Sequence, residues 1–156
     1  KTECYTNIKC IIVGDGPLRN QLEYFVVKNN LKGQVIYKKF VSEEELQNLY
    51  QSATCLILPS ISDGFGMVVI EAMAYDCPVI VSKGAGVSEI IKDGYEGILV
   101  NPADVENLAE AIKVLISNED LRIKLKKNAK KILNKEFRWE VITKKVITVY
   151  KKVLKT

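Results

Sequence analysis

The 156-residue chain contains no histidine. That absence removes Ser-His-Asp and Cys-His nucleophilic systems, a histidine general base and histidine-held metals from the chemistry available within it. Any catalysis here rests on carboxylates, backbone amides, a cofactor, or groups from another piece of protein. Cysteine is scarce: Cys4, Cys10, Cys55 and Cys77 show no Cys-x-x-Cys spacing, against a zinc site or a thioredoxin-like motif. Cys55, in the run Cys55–Leu58, and Cys77, before Pro78-Val79-Ile80-Val81, read as small buried hydrophobes in a reducing compartment, and the cytoplasm is the expected address. Long apolar runs are lacking, so no membrane-spanning helix is expected. The opening Lys1-Thr2-Glu3-Cys4-Tyr5-Thr6 has none of the apolar stretch of a signal peptide.

What is present is the composition of one globular domain, with 47% apolar and 27% charged residues. The charge is unevenly spread. Residues 1–112 hold 9 basic and 15 acidic residues, a net of −6, whereas residues 113–156 hold 14 and 4, a net of +10. Lys-rich solvated helix faces account for the tail most simply. No aromatic or glycine interleaving in it suggests nucleic-acid readout, so no nucleic-acid partner is expected.

Short apolar runs alternate with amphipathic ones. Strands are expected at 8–13, 34–37, 54–58, 78–81 and 97–100, with 54–58 buried on both faces. Pro17 suits the first position of a helix carrying Leu18, Leu22, Phe25 and Val26. Ser42 and Glu45 form a capping box ahead of Leu46, Leu49 and Tyr50. A helix of about ten residues starts at Gly66. Only helices follow Asp104, the last carrying Trp139, Ile142, Val146, Val149, Tyr150 and Val153. The rhythm predicts a doubly wound parallel α/β sheet with a helical C-terminal extension.

In such sheets ligands bind beyond the carboxyl ends of the strands, where three loops lie: 14–17, 60–66 and 82–86. Gly14-Asp15-Gly16 has Arg19 where a dinucleotide fingerprint needs its third glycine, and no Walker A sequence occurs. The middle loop says more. Asp63-Gly64-Phe65-Gly66 leads into Met67-Val68-Val69-Ile70-Glu71: an acid, two glycines, a helix start that offers N–H groups to a phosphate, and a second acid among apolar neighbours. A carboxylate so placed needs a partner, and ribose hydroxyls would serve. Asp63-Gly64 as a plain turn, with Glu71 a partly exposed helix residue, accounts for the same pattern.

From Ile11 to Tyr150 the chain resembles the C-terminal, donor-binding half of GT-B fold retaining glycosyltransferases of family 4, or group 1. The resemblance is carried by an ordered set: Ile12-Val13-Gly14-Asp15-Gly16-Pro17, Leu58-Pro59-Ser60, Gly64-Phe65-Gly66 with Glu71-Ala72-Met73-Ala74, Pro78-Val79-Ile80, Gly86-Val87-Ser88-Glu89, Asp93-Gly94 with Gly97, and Phe137-Arg138-Trp139-Glu140. It implies a nucleotide-sugar domain over 1–135 and a crossover helix over 136–156. It implies that Glu71 grips the ribose, and that Asp63 with the backbone of Gly64, Phe65 and Gly66 meets the donor sugar. Backbone N–H groups near Gly66 and Met67 meet the diphosphate, and the segment around Val41 meets the base. Asp63 and Glu71 are the expected catalytic pair, with no metal and no cofactor.

Transfer of a hexose-type sugar from an NDP-sugar, with retention, to a glycan or lipid-linked acceptor is the implied reaction, and polysaccharide biosynthesis the implied setting. Acceptor binding falls to an N-terminal domain upstream of the segments present, so the sequence reads as half an enzyme, inactive alone. A peripheral contact of the basic tail with the inner face of the cell membrane is a further expectation. The other readings are a non-catalytic nucleotide-binding module, a partner-dependent half of a split enzyme, and half of a GT-B sugar-nucleotide epimerase. Three positions depart from the family pattern: Asp63 replaces Glu, Lys39 stands at a common Gly, and Asp76 replaces a Gly before Pro78.

Overall fold

The computed structural model describes residues 8–154. The chain divides into two compact units, residues 1–46 and 47–156. That boundary lies inside the stretch 1–135 that the resemblance assigns to one domain.

In the first unit, strands β1 (Cys10–Val13) and β2 (Val35–Lys38) run parallel, with Cys10 opposite Val35 and Val13 opposite Lys38. Helix α1 (Arg19–Lys28) crosses between them. The strands sit within a residue or two of their expected places. The helix starts later than Pro17 suggests, because Pro17 and Leu18 form a turn and Leu18 is the residue before the first helical position. Helix α2 (Glu43–Ser52) begins on Ser42, whose Oγ accepts from the Glu45 N–H at 3.1 Å. The reciprocal arm of the capping box is not made. The Glu45 carboxylate instead pairs with Lys38 Nζ on β2, since a charge-assisted bond outcompetes one to a neutral amide.

In the second unit, β3 (Leu56–Leu58), β4 (Val79–Ser82) and β5 (Ile98–Val100) form a parallel sheet in that order. All four residues of β4 are buried, as a central strand rich in Val and Ile should be. The outer strand β3 is shorter than expected and only half-buried, because it pairs within this sheet on one side alone. Helix α3 (Met67–Ala74) follows β3, and a 3-10 turn (Gly86–Ile90) follows β4.

Helices α4 (Val105–Ser117), α5 (Glu119–Glu136) and α6 (Trp139–Val153) close the chain. The Asp104 carboxylate caps α4 by accepting from the Asn107 N–H at 2.9 Å, and Asn118 caps α5 by accepting from the Leu121 N–H at 2.9 Å. Glu119 and Asp120 add negative charge at the positive end of α5. Ile80 and Val100 of the sheet pack with Ala111 and Leu115 of α4 and Leu125 of α5. Truncating Leu115, fully buried, to Ala would cost about 2–5 kcal/mol. No residue of α6 is buried.

Asp76 has a φ of 57°, the left-handed conformation for which glycine is usual; an aspartate tolerates it better than most residues. Its carboxylate also lies 3.4 Å from Lys130 Nζ on α5. Cys77 is buried, Cys55 is half-buried, and Cys4 lies outside the described residues. Among the described residues no helix is long and apolar enough to cross a membrane.

Candidate functional site

The loop from β3 to α3 is held by the loop that leaves β4. The Asp63 N–H donates to the Gly84 carbonyl at 3.1 Å, and the Gly86 N–H returns a bond to the Asp63 carbonyl at 3.1 Å. The Val87 N–H donates to the Phe65 carbonyl at 2.6 Å. Two of the three candidate ligand loops therefore form one structure. The approach is close enough to require glycine: a Cβ on Gly86 would stand 2.4 Å from the Gly64 carbonyl oxygen.

Within that frame Asp63 makes a turn of its own, since its Oδ1 accepts from the Phe65 N–H at 3.0 Å. The Asp63 side chain is thus oriented by its loop through Oδ1. Gly66 has φ 89° and ψ 53°, and this left-handed residue turns the chain into α3. No side chain caps that helix and no acid occupies its first turn. Its opening N–H groups therefore have no side-chain cap, with the Asp63 carboxylate bound to the Phe65 N–H just ahead of them; an uncapped helix start is suited to a phosphate. Met67 and Val68 at that end are exposed, whereas Val69, Ala72 and Met73 are buried.

Glu71 lies one turn further along α3 and is half-buried. Its partner in the protein is Tyr50 of α2, whose hydroxyl donates to Oε2 at 3.1 Å. Tyr50 is only 5% exposed. Burial pushes its hydroxyl well above the ordinary tyrosine range, and the Glu71 charge adds to the shift. It remains a neutral donor at every physiological pH. Sequence reasoning missed this role because Leu46, Leu49 and Tyr50 share a helix face that reads as packing.

Asp63, Gly64, Phe65, Gly66, Met67 and Glu71 thus occupy one loop and one helix. Val41 belongs to the first unit, where it is buried. In that unit Asp15 of the 14–17 loop forms ion pairs with Lys39 and Arg19, and Arg19 is itself tied to its neighbours. Lys39 Nζ lies 2.8 Å from Asp15 Oδ2, Arg19 Nε lies 2.9 Å from Glu23 Oε1, and the Arg19 guanidinium lies 4.7 Å from the centre of the Tyr37 ring. Among the described residues, no three Cys, Asp or Glu side chains gather closely enough to hold a metal ion.

Two glycosyltransferases of Methanocaldococcus jannaschii, themselves uncharacterized, are similar to the chain: one is 40% identical over 143 residues, 91% of this chain and 40% of its own length. The other is 35% identical over 145 residues, 93% and 37%. The chain therefore spans about two fifths of the length of these relatives. Among solved structures, the C-terminal domain of a group 1 glycosyl transferase from Francisella tularensis matches with a TM-score of 0.79 and 28% identity, covering 87% of this chain and 73% of that one. A Rickettsia africae glycosyltransferase matches at 0.85 and 26%, covering 96% and 41%. An Anabaena protein solved with UDP-glucose shares the fold at 0.82 and 23%, covering 92% and 41%. The sequence profile of the group 1 glycosyl transferases matches residues 2–132, and the chain belongs to that family.

Proposed function

We propose that residues 63–71 bind the nucleotide-sugar donor of a retaining hexosyltransferase. The observation that carries this reading is the uncapped start of α3 at left-handed Gly66, with an oriented carboxylate on either side of it. Backbone N–H groups of Gly66 and Met67 meet the diphosphate, and the positive end of α3 stabilises the charge that builds on it as the sugar leaves. Glu71 accepts from the ribose hydroxyls. Asp63 Oδ2 and the backbone of Gly64–Gly66 meet the hydroxyls of the sugar.

Sugar transfer occurs with retention, a donor phosphate oxygen taking the proton of the acceptor hydroxyl, so no histidine is needed. The acceptor, a glycan or a lipid-linked saccharide, is bound by an N-terminal domain of the complete enzyme. Residues 1–135 serve as the donor domain and 136–156 as the helix that crosses to the other half. Alone, the 156 residues bind nucleoside diphosphate and transfer no sugar.

Titration with UDP, GDP and ADP tests the site, UDP first because a protein of the same fold holds UDP-glucose. Glu71→Ala should weaken the best-bound nucleotide about tenfold, the loss expected for hydrogen bonds to a charged group. Unchanged affinity would overturn the assignment.

The exposed lysines of α5 further favour a peripheral contact at the inner face of the membrane, near a lipid-linked acceptor. Changing Lys124, Lys127, Lys130 and Lys131 to Gln should abolish salt-sensitive binding to anionic liposomes. Liposome binding that survives the four changes, or is absent from the unaltered chain, would end this part of the proposal.

A further inference from the structure

We infer that Tyr50 is a positioning residue for Glu71, holding Oε2 so that Oε1 is presented to the ribose of a ribonucleotide; this rests on the reading of residues 63–71 given above. The tyrosine is fixed on two sides. Its ring stacks on that of Tyr75, just beyond α3, with centroids 6.0 Å apart and planes 18° apart. Its hydroxyl ends on the Glu71 carboxylate at 3.1 Å. A buried phenol requires a hydrogen-bond partner, and here that partner is an anion that the fold leaves half-buried.

The consequence follows from counting donors and acceptors. A glutamate side chain in water samples several rotamers, and ordering it costs on the order of 1 kcal/mol or more of side-chain entropy. One oxygen held by a phenol on an immobile ring removes most of that freedom before a ligand arrives. Each carboxylate oxygen has two lone-pair directions, so Oε1 keeps its full capacity for ribose hydroxyls. A lysine or arginine in place of Tyr50 would hold the carboxylate equally well but neutralise it. Tyrosine orients the acceptor and leaves its charge intact. The device selects for hydroxyls on the sugar of the nucleotide, which makes ribonucleotide over deoxyribonucleotide discrimination its signature.

The experiment measures Kd for the best-bound of UDP, GDP and ADP and for its 2′,3′-dideoxy form, with the unaltered chain, Tyr50→Phe, Glu71→Ala and the double variant. Tyr50→Phe should reduce the preference for the ribonucleotide about threefold to fivefold. The dideoxy nucleotide should bind that variant as before. The double variant should discriminate no less than Glu71→Ala alone, because the hydroxyl acts only through that carboxylate.

Replacing Tyr50 by 4-aminophenylalanine, which places an N–H donor near the same point, should restore the preference. A merely structural Tyr50 would weaken both nucleotides alike and gain nothing from the aryl amine; either that result or an unchanged preference in Tyr50→Phe would overturn the inference. If Glu71→Ala itself leaves the preference intact, the ribose assignment fails. Loss of preference in Glu71→Ala but not in Tyr50→Phe sinks only the role given to Tyr50.

Discussion

The ring of Phe65, in the middle of the loop between β3 and α3, lies against the ring of Phe137, which follows α5; the centroids are 6.3 Å apart and the planes tilted by 47°. Tilted aromatic pairs at this separation contribute about 0.5–1.5 kcal/mol beyond the area they bury. The contact adds a side-chain brace to the backbone bonds that the loop makes with Gly84, Gly86 and Val87. Phe137→Ala should therefore lower stability by about 2 kcal/mol in a urea titration and weaken nucleotide binding severalfold. Phe137→Leu, which keeps most of the apolar contact, should retain most of both. Full nucleotide affinity in Phe137→Ala would show that the backbone bonds hold the loop unaided.

The seam between the two loops makes a sharper prediction. An alanine at Gly86 would set its Cβ 2.4 Å from the Gly64 oxygen, a backbone atom that has no rotamer to escape into. Either the Gly86 N–H bond to Asp63 or the turn at Gly64 has to give way. Gly86→Ala should destabilise the chain by about 2 kcal/mol or more, and nucleotide affinity should fall further than in Phe137→Ala. Denaturation and titration of the same preparation read both quantities.

Much of this was legible in the residues themselves. The five strands fall within two residues of where the apolar runs place them, because a buried parallel strand needs a continuous run and little else. The span from Asp63 to Glu71 could be read as a ligand loop because its parts are contiguous: an acid, two glycines, a helix start and a second acid. Tyr50 with Glu71, and Phe65 with Phe137, join positions that only the folded chain brings together, and neither tyrosine nor phenylalanine advertises its partner. The capping box failed in one arm for a similar reason. Lys38 lies too far from Glu45 along the sequence for a local motif to include it, and its charge takes the carboxylate.

Asp76 offers a test of backbone strain separate from the site. Its φ of 57° disfavours any residue with a Cβ, least so Asp and Asn. The pair with Lys130 is exposed on both sides and contributes well under about 1 kcal/mol. Asp76→Ala should cost about 1 kcal/mol in chemical denaturation, while Asp76→Gly should stay within about 0.5 kcal/mol of the parent because the relief of strain offsets a freer unfolded chain. A larger loss for Gly than for Ala would mean that the carboxylate, not the conformation, matters at this turn.

The ion pair of Lys39 with Asp15 predicts a pH effect. Lys39 above all, helped by the Gly16 N–H, Arg19 and Tyr37, holds the Asp15 carboxyl below the ordinary aspartate value of 3.8, against a desolvation effect second only to that of Lys39. Because the folded value is the lower one, the stability it contributes is present above pH 3.8 and is lost as the pH falls through the folded value. Lys39→Met removes the leading cause while keeping the length of the side chain. The Asp15 carboxyl carbon, followed by NMR between pH 2 and 6, should titrate below its ordinary value in the parent and move upward in the variant. The shift should shrink when the parent is titrated in high salt, since both charges are exposed to solvent. An Asp15 midpoint that Lys39→Met leaves in place would assign the depression to Gly16 and Arg19 instead, and would leave the lysine at position 39 without an electrostatic role in the 14–17 loop.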